Sequence, residues 1–274
     1  MPELPEVEII VRQLKTSSGL LGHPITGVRI LRPSQWQPAS PDTIRTHLTG
    51  KCITNIRRRA KYILFELTDN WQLVVHLRMT GKFIISESTE TTDPYTRTVF
   101  NFESGVDLVY HDVRALGRLF LGKREDVSHL VAKLGIEPLS FEFSRSYLHE
   151  SLAGCRLQIK DYLMNQSKIA GIGNIYASEI LFRSRIHPER LTSSLTAGEI
   201  EVLHQMIRTV LRESIDQMGT TISDFRTAYN SEGNFQNFLQ VYGKANQPCS
   251  QCAGLIKRII QKQRSTFFCE MCQK

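Results

Sequence analysis

The chain has 274 residues, enough for two domains and a generous core, and its 41% hydrophobic and 22% charged content is that of an ordinary folded globular protein. No stretch approaches the roughly 20 apolar residues that a membrane helix requires, and the acidic start lacks the basic and apolar regions of a signal peptide, so a cytoplasmic protein with no membrane partner is expected. The net charge of +7 is modest, but it is distributed as separated basic clusters at 57–61 (RRRAK), 156–160 (RLQIK), 183–190 (RSRIHPER) and 257–264 (KRIIQKQR), which suits a groove that tracks phosphates. Each cluster taken singly also fits an ordinary solvated face.

In chain order, Leu4, Val7, Ile10, Val11 and Leu14 recur at helical spacing and predict an amphipathic helix from Glu3 to about Lys15. Pro2 and Pro5 fall at its first turn, where a missing N–H costs nothing, and Glu3, Glu6 and Glu8 lie where the helix dipole favours anions. A β-rich stretch follows to about residue 123. Its strand-like runs YILFELT, QLVVHLRM, TVFNFES and VDLVYHD predict an antiparallel sandwich or barrel, with the polar tract at 86–97 as a surface loop.

From about residue 126 the period becomes helical, with candidates at DVSHLVAKLG, SRSYLHESLAG, IKDYLMNQ and NIYASEILFRSR. The clearest helix spans 196–218, opened by a capping box from Thr196 to Glu199. GIEPLS at 135–140 reads as the domain boundary and AYNSEGN at 228–234 as a second flexible segment.

Of six cysteines, four form C-x2-C-x16-C-x2-C: Cys249, Cys252, Cys269 and Cys272. Two such knuckles complete a tetrahedral zinc site, and the alternative of disulfides fits poorly with a chain lacking a secretion signal. Cys52 and Cys155 are expected to be buried small residues.

Pro2 carries a possibility of its own. Once Met1 is removed it is a secondary amine with a pKa of about 8, so a neutral fraction is present at pH 7. Such an amine attacks electrophilic carbon and yields an iminium ion, with the Glu3 carboxyl close by. An ordinary helix-start proline remains the alternative.

PELPEVE at 2–8 resembles the start of the formamidopyrimidine-DNA glycosylase family, and six further matches follow in family order. They are RRAKYILFEL at 58–67, HLRMTGKF at 76–83, AGIGNIYASEILF at 170–182, IHPERL at 186–191, LQVYGK at 239–244 and the terminal cysteine module. The resemblance implies a multidomain α+β fold: an N-terminal β-sandwich with its helix (1–134), a linker (135–143), a helix-two-turn-helix DNA-binding domain (144–233) and a C-terminal zinc ribbon (234–274). It implies a monomer, nucleoid-associated through DNA, that holds one structural Zn2+. Its substrate would be double-stranded DNA containing oxidised bases or abasic sites. Oxidised purines would be excised and the strand cleaved by β,δ-elimination.

By the same resemblance, Pro2 attacks the sugar C1′, Glu3 acts as general acid, and Lys61 assists β-elimination or contacts phosphate. Arg264 matches the arginine linked to δ-elimination. A guanidinium is a poor acid, so clamping phosphate is its expected role. Gly171, Gly173 and Asn174 open a helix whose N–H groups face phosphate. Arg156 matches a DNA contact, Met79 and Arg114 match residues that fill the gap left by an extruded base, and Tyr95 stands where a phosphate-contacting His occurs. The family's DPRRFG is here DVRALG, so Val113, Ala115 and Leu116 replace Pro, Arg and Phe; its His-rich segment is replaced around Tyr95, Thr96 and Arg97. Two other readings stay open, a preference for oxidised pyrimidines and a non-catalytic DNA-binding protein.

Overall fold

The computed structural model describes residues 1–37, 40–87, 93–252 and 254–274. The chain divides into two compact units, one of Met1–Lys133 with Gln217–Asn234 and one of Leu134–Asp216 with Phe235–Lys274.

In the first unit, α1 (Leu4–Thr16) begins at the N-cap Glu3, which shares a reciprocal capping box with Glu6. After it come β1 (Ile25–Ile30), a 3-10 turn at 33–35, β2 (Trp36–Gln37) and α2 (Pro41–Leu48). The strands β3 (Ile53–Arg59), β4 (Tyr62–Leu67), β5 (Trp71–His76), β6 (Gly81–Ser86), β7 (Thr96–Phe102), β8 (Asp107–Asp112) and β9 (Arg118–Lys123) follow. They form a five-stranded sheet in the order β2-β9-β5-β4-β3 and a four-stranded sheet in the order β1-β7-β8-β6. All pairings are antiparallel except β2 with β9. The sandwich was expected; β1, β2, α2, β3, β6 and β9 carried too little pattern to be read singly. Of the predicted loop at 86–97, residues 88–92 lie outside the described residues.

Alternate strand residues point inward, so Phe65, Phe83, Phe100, Leu108 and Tyr110 share one core with Val7, Ile10 and Leu14 of α1 and Ile44 and Leu48 of α2. Phe83 bridges Phe65 and Tyr110 at ring distances of 5.4 and 5.2 Å. Two short helices, α3 (Arg124–Val127) and α4 (His129–Ala132), occupy the stretch read as one helix. Val127, Leu130 and Val131 cover Leu64 and Val74 on the outer face of the five-stranded sheet.

The segment 217–234 belongs to this unit, although the sequence groups it with the helices, and AYNSEGN within it is anchored rather than loose. Phe225 and Ala228 enter the sandwich core. Thr220 N–H donates to Glu6 Oε1 at 2.8 Å, Ala228 N–H to Gln13 Oε1 at 2.8 Å, and Ile85 N–H to the Ala228 carbonyl at 3.0 Å. At the base of the segment a Cβ on Gly233 would lie 2.2 Å from the Gly219 carbonyl oxygen, so only glycine lets the two backbones meet.

The second unit holds α5 (Arg145–Ala153), α6 (Ile159–Met164), α7 (Asn174–Arg183) and α8 (Ala197–Asp216), then the hairpin β10 (Ile256–Gln261) and β11 (Arg264–Cys269). Leu148, Leu163, Ile180, Leu181, Leu203, Ile207 and Leu211 form its core. The predicted capping box opens α8, with Thr196 N–H donating to Glu199 Oε2 at 2.8 Å. Hydrogen bonding from Arg190 is the main cause holding the Glu199 carboxyl down at about 2. Buried Glu179 of α7 accepts the N–H groups of Gln240, Val241 and Tyr242 at 2.9, 2.9 and 2.8 Å, which fixes the approach to the cysteine module. Cys52 and Cys155 are half-buried rather than buried as expected. Among the described residues no helix is long and apolar enough to cross a membrane.

Candidate active site and zinc centre

Pro2 and Glu3 are buried at the start of α1. The Glu3 N–H donates to Glu6 Oε2 at 2.8 Å, so Glu6 ties this end to Thr220 as well as capping the helix. One turn on, Glu8 pairs with Arg58 of β3 at 2.8 Å. Burial alone would raise the Glu8 pKa; Arg58 and Arg12 outweigh it and hold the carboxyl below its usual range. This ion pair fastens α1 to the strand that leads into Lys61.

Lys61 is buried in the two-residue turn between β3 and β4, where Arg59 pairs with Tyr62. Ala60, the first of the two turn residues, has φ of 52°, in the left-handed region that tight hairpin turns use. A non-glycine residue in that conformation costs about 1 kcal/mol.

His76 of β5 stacks edge-on against Tyr62 at 4.6 Å, and its Nδ1 accepts the Arg78 N–H at 3.0 Å. Burial first, then the charges of Arg78 and Lys61, push its pKa down to about 3, so the imidazole is neutral near Lys61. The unfolded chain binds this proton from about pH 6.5 downward, whereas the folded protein does not until about 3. Stability should therefore rise with pH across that window, by roughly 1.4 kcal/mol per unit from this group. Urea titrations from pH 4 to 7 should show this slope diminished in His76→Gln; an unaltered slope would mean that His76 titrates freely.

A second cluster joins two turns. Met79 is exposed in the turn before β6, and Arg114 and Leu116 are exposed in the turn after β8. Between them lies Asp112, with 0% of its surface accessible. Its carboxylate accepts from Thr80 Oγ1 at 2.5 Å, Gln35 Nε2 at 2.8 Å, Gly117 N–H at 2.8 Å and the Tyr110 hydroxyl at 3.4 Å. Thr80 Oγ1 in turn accepts the Arg114 N–H at 3.0 Å. Gly117 is obligatory, because a Cβ there would sit 1.7 Å from the Tyr110 hydroxyl. Exposed Tyr95 belongs to the same region, its carbonyl accepting the Asp112 N–H at 3.0 Å. Nothing in the sequence marks Asp112, since a lone acid at a strand end is ordinary turn chemistry.

In the second unit, the turns between α6 and α7 are stapled by Gln166. Its amide donates to the Met164 and Ile172 carbonyls at 2.9 and 2.8 Å and accepts the Gly171 N–H at 2.9 Å. Gly171 has φ of 93°, which glycine adopts without cost, and Gly173 is the N-cap of α7. Asn174 donates to the Ser265 carbonyl at 2.9 Å, joining this helix start to β11. Lys160, buried on α6, reaches Thr266 Oγ1 at 2.6 Å and so holds the same strand. Arg264 begins β11 after a two-residue turn in which Lys262 and Gln263 have φ of 44° and 62°. With Lys160, Asp161, Asn165 and Lys262 it lines a cavity of about 340 Å³. Exposed Arg156 lies in the connection between α5 and α6.

The four cysteine sulfur atoms of Cys249, Cys252, Cys269 and Cys272 all lie within 4.8 Å of one another, with Cys249–Cys272 at 3.8 Å and Cys252–Cys269 at 3.5 Å. Zn–S bonds of about 2.3 Å in a tetrahedron set sulfur atoms about 3.8 Å apart, so the set fits one zinc ion. Four thiolates leave no open position, which makes the metal structural. Burial, then the three neighbouring sulfurs, push the Cys272 thiol well above its usual range, a repulsion that a divalent cation removes.

Three sequence profiles match the chain: the formamidopyrimidine-DNA glycosylase N-terminal domain at 1–119, its H2TH domain at 134–226, and a zinc finger found in FPG and IleRS at 246–274. The formamidopyrimidine-DNA glycosylase of Herpetosiphon aurantiacus is 40% identical over 274 residues, covering 100% of both chains. That of Pelotomaculum thermopropionicum is 39% identical over 276 residues, covering 100% of this chain and 99% of its own. Lactococcus lactis Fpg, solved with DNA containing an abasic site, superposes with a TM-score of 0.91 at 35% identity over 99% of each chain. The same enzyme, solved with DNA containing an oxidised pyrimidine, gives 0.90 at 36% identity and 100% coverage of both.

Proposed function

The chain belongs to the formamidopyrimidine-DNA glycosylase family, and from that premise we propose that it removes oxidised purines from double-stranded DNA and then cleaves the strand as a lyase, acting as a monomer. Lactococcus lactis Fpg, its structural relative, is held on DNA carrying an abasic site, which supports damaged DNA as the substrate here. The observation that carries the reading is the buried Pro2–Glu3 pair at the start of α1, which Glu8 and Arg58 tie to the hairpin bearing buried Lys61.

In this reading Met1 is first removed, freeing the Pro2 nitrogen. Its lone pair attacks C1′, the bond to the damaged base breaks, and Glu3 passes a proton to O4′ as the sugar ring opens. The iminium so formed draws electrons from C2′. Loss of a C2′ proton, assisted by Lys61, expels the 3′ phosphate, and a second elimination expels the 5′ phosphate. The neutral state of His76 means that it adds no positive charge of its own beside Lys61 and Arg78. Met79, Arg114 and Tyr95 would face the DNA in one unit; Arg156, Gly173, Asn174 and Arg264 would hold phosphates in the other. The zinc held by four cysteines supplies rigidity to the ribbon that carries Arg264 and takes no part in bond breaking.

Borohydride reduces an iminium to a stable amine, so protein of the mass expected without Met1 should become covalently joined to 8-oxoguanine duplex. Pro2→Gly, which keeps a terminal amine but a primary one, should lose most base excision. Undiminished excision rejects the nucleophile assignment, and absence of any trapped species favours a DNA-binding protein without catalysis. Oxidised-pyrimidine duplexes run in parallel test the remaining alternative.

A further inference from the structure

Arg97, on β7, makes three contacts that no reading of the sequence assigns. Its Nε donates to the Asp112 carbonyl at 2.7 Å, Nη1 to the Pro94 carbonyl at 3.1 Å and Nη2 to the Val113 carbonyl at 3.2 Å. The guanidinium thus ties the Asp112 and Val113 carbonyls at the entry to the turn to the Pro94 carbonyl ahead of β7, while Thr80 holds the turn through the Arg114 N–H and the Asp112 carboxylate. The turn needs holding. Ala115 has φ of 51°, a left-handed conformation that a residue with a Cβ adopts at a cost, and Arg78 beside Met79 has φ of 57°. Val113 leaves the backbone free where a proline would fix φ near −65°. The two departures noted in the sequence, around Arg97 and at Val113, are therefore in direct contact.

We propose that Arg97 is a positioning residue for the turn Val113–Leu116, its planar fork tying the Asp112 and Val113 carbonyls at the entry to the turn to the Pro94 carbonyl ahead of β7 and so supplying stiffness that the turn's own sequence lacks. Arg97 then fixes where Arg114 and Leu116 stand before DNA arrives, so the gap-filling groups lose less ordering entropy on binding. A point-charge ammonium cannot span three carbonyls in one plane, so lysine is no substitute. The inference rests on the proposed role of Arg114 in DNA. The clamp itself is testable without DNA.

The experiment compares Arg97→Lys and Arg97→Gln with the unmodified protein. Amide hydrogen exchange of free protein should accelerate about tenfold or more across 113–117 in both variants while β4 and β5 stay protected. Single-turnover excision of 8-oxoguanine should fall about ten- to a hundredfold in both, with the salt slope of DNA binding unchanged. Unchanged exchange at 113–117 overturns the clamp. So does a result in which Arg97→Lys keeps full activity while Arg97→Gln lowers the salt slope by about one, because that marks a phosphate contact. If the unmodified protein excises nothing, the proposed function fails while the exchange result still judges the clamp.

Discussion

Glu3→Gln is expected to lower single-turnover base excision by about 10²- to 10⁴-fold, the range typical for loss of a positioned general acid. The side chain is buried and sits at the N-cap of α1, where glutamine has the same length and keeps an acceptor oxygen. The capping box is therefore largely retained: the Glu3 N–H still donates to Glu6 Oε2, and the glutamine oxygen takes over acceptance of the Glu6 N–H from the carboxylate. Thermal unfolding should move by no more than the few degrees that about 1 kcal/mol represents. Large loss of excision with near-native unfolding separates chemistry from structure. Excision within about threefold of the original protein, well short of the loss a general acid entails, would remove Glu3 from the proton-transfer step and leave the protonation of O4′ without a donor.

Cys252→Ser should have the second large effect, on unit two. Apparent binding free energies for structural zinc reach about 10–16 kcal/mol in small zinc modules, where metal binding and folding are one event. The ribbon is such a module. Its apolar cluster among the described residues is small, Val241, Cys249, Ile256 and Cys269 with Phe182 of α7, and two of these are zinc ligands. Metal analysis should find well under one equivalent of zinc. Amide protection along β10 and β11 should disappear while α8, which has its own core, keeps it. DNA affinity should fall about a hundredfold or more, roughly 2.7 kcal/mol, as Arg264 and the basic hairpin lose their place. Full zinc content with an intact hairpin would show that three cysteines suffice.

Local physics wrote several parts of this protein legibly. The helical stripe of α1 and its acidic cap, the capping box of α8, and the knuckle spacing of the cysteines each depend on residues close together in the chain. The four cysteines needed only two short loops to converge. The strands YILFELT and VDLVYHD were readable because a strand-length apolar run bounded by turn residues needs no partner to be visible. By contrast, β2 has two residues, Trp36 and Gln37, and exists only because β9 pairs with it.

The placement of the segment 217–234 was also beyond the sequence. It looked like a polar connection, but Glu6, Gln13 and Ile85, all far back in the chain, bind its backbone. Asp112 and Arg97 were illegible for the same reason. An aspartate ending a strand and an arginine within one are unremarkable until Thr80, Gln35, Gly117 and the Val113 carbonyl surround them.

Short-range periodicity and spacing were enough to reveal α1, α8, the longer apolar strands and the zinc ligand set. Long-range packing alone holds His76 neutral near Lys61, hangs the turn after β8 from a fully buried carboxylate, and lets Arg97 tie the Asp112 and Val113 carbonyls to that of Pro94. Burial and hydrogen-bond direction are properties of neighbours distant in the chain, and no local pattern encodes them.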